Sequence, residues 1–172
     1  MNNSVNDSVL NAAGRFSRFS YLGWNGLLLL VMMLLGIIVA IALPSSAPDT
    51  NQDMPVFAMI ILGILYIALI YFSFIFAVRR LHDRNHSGWL SLLMLVPFVN
   101  IAMALYLTFA KGDAYANQFG LPRVTRTWEK VLGWIYVLIF PIGILAAIAI
   151  PAYQDYVQRA HEGQIEIQQK AE

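Results

Sequence analysis

Residues 79–89 read Arg-Arg-Leu-His-Asp-Arg-Asn-His-Ser-Gly-Trp and form the densest run of potentially reactive side chains in the chain. His82 and His86 are four apart, a spacing that on a helix turns both imidazoles to one face as metal ligands, with Asp83 beside them. The third histidine, His161, is remote in the tail, so no metal and no other cofactor is expected. Asp83 has Arg79, Arg80 and Arg84 as neighbours. That grouping suits an ionic clasp joining the end of one apolar segment to the start of the next and limiting exposed charge near lipid. Clustered arginines also suit phosphate oxygens, which makes an anionic lipid headgroup a second candidate partner. No nucleophile, base and orienting group recur at usable spacing, and no glycine-rich phosphate loop is present; the reading is non-enzymatic, with no catalytic residue. The chain has no cysteine, which removes disulfides, thiol nucleophiles and thiolate metal sites.

A second polar run, Gly14-Arg15-Phe16-Ser17-Arg18-Phe19-Ser20-Tyr21, mixes cations with aromatic rings. It reads as an interfacial anchor, with Arg15 and Arg18 on lipid phosphates and Phe16 and Phe19 entering the headgroup region.

The elements around these runs are set by composition. Of 172 residues, 59% are hydrophobic and 12% charged, about half the charged share of a soluble domain. A net charge of +1 offers no basic stripe for nucleic acid. The apolar residues fall into blocks at about 21–43, 55–78, 89–110 and 131–151, lengths that match a bilayer. The expected class is an all-α integral membrane protein with three to four hydrophobic helical segments and a short amphipathic C-terminal helix, weakened beyond Gly163. Residues 1–20 read as an interfacial segment, 21–122 as a membrane domain, and 123–172 as a last membrane helix with its polar tail.

Lysines and arginines number two before the first block, none in the polar connector 44–54, and three between the second and third blocks. Four more separate the third from the fourth, and two lie in the tail. The positive-inside rule then places the N-terminus in the cytoplasm of a multi-pass protein. The third block, interrupted by Pro97, Phe98, Val99 and Asn100, either crosses as a kinked helix or dips in and returns. Crossing leaves seven cations inside and four outside; re-entry leaves nine and two, so charge favours re-entry.

Three motifs carry a family resemblance: Gly14, Arg15, Ser17, Arg18 and Tyr21; the Arg79-Arg80-Leu81-His82-Asp83 loop with its Ser87-Gly88-Trp89 exit; and Gly112 followed by Asn117, Phe119, Gly120 and Pro122. Together they resemble the bacterial inner-membrane family of domain of unknown function 805 over residues 14–122. The resemblance implies a membrane fold in the inner membrane and no known activity.

Residues 142–157 resemble a different family, the N-terminal membrane helix of type IV pilins, over sixteen consecutive positions ending Pro151-Ala152-Tyr153-Gln154-Asp155-Tyr156-Val157. The likeness implies helix–helix contact through Gly143, Ala146, Ala147, Pro151, Tyr153 and Tyr156, with type IV pilin or pilus assembly proteins as partners. Aligned on Gly143, the pilin leader glycine falls at Glu129, the first mature phenylalanine at Lys130 and the assembly glutamate at Trp134. Cleavage and polymerisation are therefore not implied. The pilin orientation would put 111–130 in the cytoplasm, in agreement with re-entry. Three functional classes follow: an interaction protein contacting pilins, a scaffold without a current partner, and a small channel lined by the third block and residues 79–86.

Overall fold

The computed structural model describes residues 10–42 and 55–171. Residues 1–9 and the connector 44–54 lie outside the described residues. Four α-helices follow one another, α1 (Arg18–Ala42), α2 (Val56–His82), α3 (Val99–Phe109) and α4 (Thr127–Ala171), with a three-ten helix at Gly88–Leu95. No strand occurs among the described residues, only an isolated bridge between Asn117 and Gly120. The all-α class holds. Helices α1, α2 and α4 are each long and apolar enough to cross a membrane, which makes the chain multi-pass by length and composition.

Local chemistry sets the helix ends. Ser17 caps α1: its hydroxyl accepts from the Ser20 backbone N–H at 3.1 Å, satisfying one of the donors a helix start leaves open. α2 closes with Arg79, Arg80 and His82 in its last turn, where cations oppose the negative end of the helix dipole. The chain then turns at Asn85, whose φ of 56° lies in the left-handed region that asparagine tolerates. That turn breaks the helix between His82 and His86, so the helical i, i+4 geometry assumed for an imidazole pair does not form.

The third apolar block is not one helix. Pro97 and Phe98 (φ 65°) reverse the chain between the three-ten helix and α3. At their usual rises the two arms extend about 16 Å each, short of a hydrocarbon core of about 30 Å. Both ends of the hairpin return to the end of α2: His86 Nε2 lies 2.8 Å from the Tyr106 hydroxyl, and Arg80 donates to the Leu107 carbonyl at 2.9 Å. This is the course that re-entry requires and a crossing does not.

Two compact units divide the chain, the first ending at Tyr136 and the second beginning at Val137. Within the first, the opening turns of α4 pack closely on α1. A Cβ added at Gly23 would sit 2.4 Å from the Glu129 carbonyl oxygen, and one at Gly26 would sit 2.9 Å from that of Leu132. Small residues let membrane helices approach at backbone distance, and these glycines do so here. The second unit is the remainder of α4. The helix runs unbroken through Pro141, Pro151 and Gly163, so the separate C-terminal helix weakened beyond Gly163 is not found. The unit boundary lies one turn before Pro141, which cannot donate to the Val137 carbonyl.

Candidate functional site

The three family-like motifs meet at one buried ionic network in the first unit. At its centre Asp83, 4% exposed, accepts from two guanidiniums: Arg15 Nε and Nη2 reach Oδ1 at 3.1 and 3.0 Å, and Arg80 Nη1 reaches Oδ2 at 2.6 Å. Arg15 is 2% exposed, and its other donors go to backbone carbonyls of residues 111–126: Nη1 to Tyr115 (2.7 Å) and Gly120 (3.0 Å), Nη2 to Asp113 (2.6 Å). All five guanidinium hydrogens are thereby engaged, the geometry only arginine supplies. The expectation that Arg15 and Phe16 face lipid is overturned, because both are buried. A charge next to the bilayer is cheapest when its partners lie inside the protein.

Arg80 acts as an external cap. Besides Asp83 it donates to the carbonyls of Leu107 and Ala110, which the C-terminus of α3 leaves unpaired. Arg84 donates to the Lys111 carbonyl and to the Tyr106 hydroxyl at 3.1 Å; the latter bond holds its guanidinium pKa above the usual range. The Asp113 backbone N–H donates to the Asp83 carbonyl at 2.8 Å, and Asn117 Nδ2 donates to the His82 carbonyl at 2.9 Å. Gly120, at φ 108°, completes a tight turn with Asn117 that aims its carbonyl at Arg15. Gly112 leaves room for the Asp83 carboxylate: a Cβ there would fall 1.8 Å from Oδ2.

A second buried carboxylate, Glu129 (0% exposed), ties α4 to α1. Its Oε2 accepts from Ser20 Oγ at 2.8 Å and from the Arg126 backbone N–H at 3.0 Å, the latter being the glutamate half of a capping box. Its Oε1 accepts from Trp24 Nε1 at 3.0 Å and pairs with Arg123 at 2.8 Å. The Phe16 ring lies beneath the Arg79 and Arg123 guanidiniums, which stand 4.1 and 5.0 Å from its centroid. The Phe16 backbone N–H donates to the Arg79 carbonyl at 2.9 Å.

The other predicted residues divide between the two units. Gly14 (φ 87°) packs beside Arg79 and offers its carbonyl to His82 Nδ1 at 3.2 Å. The His82 ring stacks on Phe119 with centroids 3.7 Å apart, while His86 meets Tyr106, so the two imidazoles serve different partners. Arg18 and Trp89 are exposed, and Gly88 lies against Val78 and His82. In the second unit Gly143, Ala147, Pro151, Tyr153 and Tyr156 are exposed and Ala146 is half-buried.

Sequence reasoning offered Arg79, Arg80 and Arg84 as partners of Asp83, of which Arg80 pairs with it at 2.6 Å, and it missed Arg15 as a partner of Asp83 and the whole cluster of Glu129 with Ser20 and Trp24. One signal was available: Asp83, Asp113 and Glu129 are the only acids between residues 55 and 154. A lone carboxylate at the start of an apolar helix needs a partner.

Residues 9–121 match the family described as "Protein of unknown function (DUF805)". No curated protein and no solved structure matches the chain. The matched stretch contains Arg15, Arg80, Asp83 and Gly120, and Glu129 falls beyond it.

Proposed function

The chain belongs to the DUF805 family, and we propose that it is a non-enzymatic interaction protein of the bacterial inner membrane. In this reading the network around Asp83 and Glu129 is a cytoplasmic base that fixes the start of α4. The rest of that helix offers its pilin-like face to type IV pilin or to a pilus assembly protein. The observation that carries the reading is the state of residues 143–156. Nothing approaches within 4 Å of a Cβ at Gly143, and Tyr153 and Tyr156 are 69% and 70% exposed. Two exposed tyrosines three apart on one helix, with small residues one to two turns before them, suit close packing against a second helix.

A photo-cross-linking residue at Ala147, in cells that make type IV pili, tests this directly. A covalent adduct with pilin or an inner-membrane assembly protein is expected, and Ala146→Leu should diminish it. A chain that forms no adduct from Ala147 or Tyr153 is a scaffold without this partner.

A further inference from the structure

A cavity of about 620 Å³ opens beside the end of α2, where the three-ten helix and the turn at 117–120 come together. Neither the ionic network nor the pilin-like helix uses it. Its walls include His82, Ser87, Trp89, Ser91, Gln118 and Phe119, with Val78 and Leu92 on the apolar side. Chemistry restricts the occupant. The wall holds no arginine, lysine, aspartate or glutamate, so nothing in it selects a phosphate or a cation. It does hold several uncharged hydrogen-bonding groups. In the neutral His82 ring, the Gly14 carbonyl at 3.2 Å can only accept, which makes Nδ1 the donor and Nε2 an acceptor. That Nε2 lies over Gly88, 3.3 Å from where a Cβ would stand, so the glycine leaves space at this atom. Ser91 is buried, Gln118 is exposed at the wall, and Trp89, 80% exposed, offers an indole face. Aromatic faces with hydroxyl, amide and imidazole partners match a ring of hydroxyl groups carrying apolar C–H faces.

We propose that this cavity binds the neutral, hydroxyl-rich headgroup of a membrane glycolipid. The lipid source follows from placement: Val78 belongs to a membrane-length helix, and Leu90, Leu92 and Leu93 are exposed on the adjoining three-ten helix. Acyl chains attached to a headgroup seated here have an apolar surface to follow. The proposal is independent of any pilin contact.

The test uses the full-length protein, purified from an equimolar mixture of phosphatidylcholine and glucosyl diacylglycerol, two lipids without net charge. Retained lipid is counted by native mass spectrometry. Wild type should hold the glycolipid in about tenfold excess, as expected from a stacked ring plus one or two hydrogen bonds. Trp89→Ala and Gln118→Ala, both at exposed positions, should bring the ratio close to one, while Trp134→Ala, remote from the cavity, should leave it unchanged. Equal retention by wild type overturns the proposal, as does an excess that survives both cavity variants. Displacement of the glycolipid by an equal concentration of free methyl glucoside would overturn the lipid assignment.

Discussion

Residues 10–136 and residues 137–163 solve opposite problems with the same kind of apolar helix. In the first region two carboxylates, Asp83 and Glu129, are withdrawn from solvent and paired with Arg15, Arg80 and Arg123. In the second, apolar side chains such as Ile142, Leu145 and Ile148 stand open on a bare helix. In water the open leucines would be the anomaly; in a membrane they are ordinary, and the buried charges are what must be accounted for. Specific architecture here resides in the polar layer, where each unmatched donor or acceptor is costly. The proposed contact with a second molecule lies on the exposed residues of α4. The fold and the proposed interaction are thus separable by mutation.

The largest expected effect is from Asp83→Ala, which strands the buried guanidiniums of Arg15 and Arg80. Loss of one partner from a buried pair costs about 3–5 kcal/mol, so the variant should aggregate or be degraded, read as loss of the monodisperse peak in detergent. Arg15→Lys keeps the charge and offers three donors in place of five. It should cost about 2 kcal/mol and lower the thermal midpoint in the same detergent. Glu129→Gln retains the size but removes the charge paired with Arg123 and one acceptor. About 1–2 kcal/mol is expected from thermal unfolding, together with faster protease cleavage of the 111–126 segment. Paired Ala146→Leu and Ala147→Leu should change stability by less than about 0.5 kcal/mol while removing the cross-link to pilin formed from Tyr153. A large stability loss there would erase the contrast between the regions.

Topology sharpens the comparison without touching stability. The chain has no cysteine, so a single introduced thiol reports its own side. Ala116→Cys should be protected from an impermeant maleimide in intact cells and Ala160→Cys labelled.

The apolar blocks were legible because a bilayer demands length, and three of the four proved to be helices within a few residues of the expected limits at most ends. The exceptions have physical causes. Pro97 ends one helical path locally, but whether the chain then reverses depends on His86 and Arg80 receiving its far end at Tyr106 and Leu107. Gly163 is a weak helix former, yet one glycine among good helix formers does not stop α4. Asp83 with Arg80 could be read from spacing, since three residues on a helix are neighbours. The contact between Arg15 and Asp83 spans 68 positions, and its remaining acceptors are carbonyls, which every residue possesses. Nothing in local pattern distinguishes such carbonyls. Gly112 and Gly120 stood out in the sequence only as motif residues; their work is to admit one carboxylate and to aim one carbonyl.

The most direct test of the shared network is a double-mutant cycle on Arg15→Gln and Asp83→Asn, with unfolding free energy measured for wild type, both single variants and the double variant. The two side chains touch, so their effects should be strongly non-additive, with a coupling energy of about 2 kcal/mol or more. Costs that add to within about 0.5 kcal/mol would mean that the motifs at 14–21 and 79–89 fold without depending on each other, and would contradict the account.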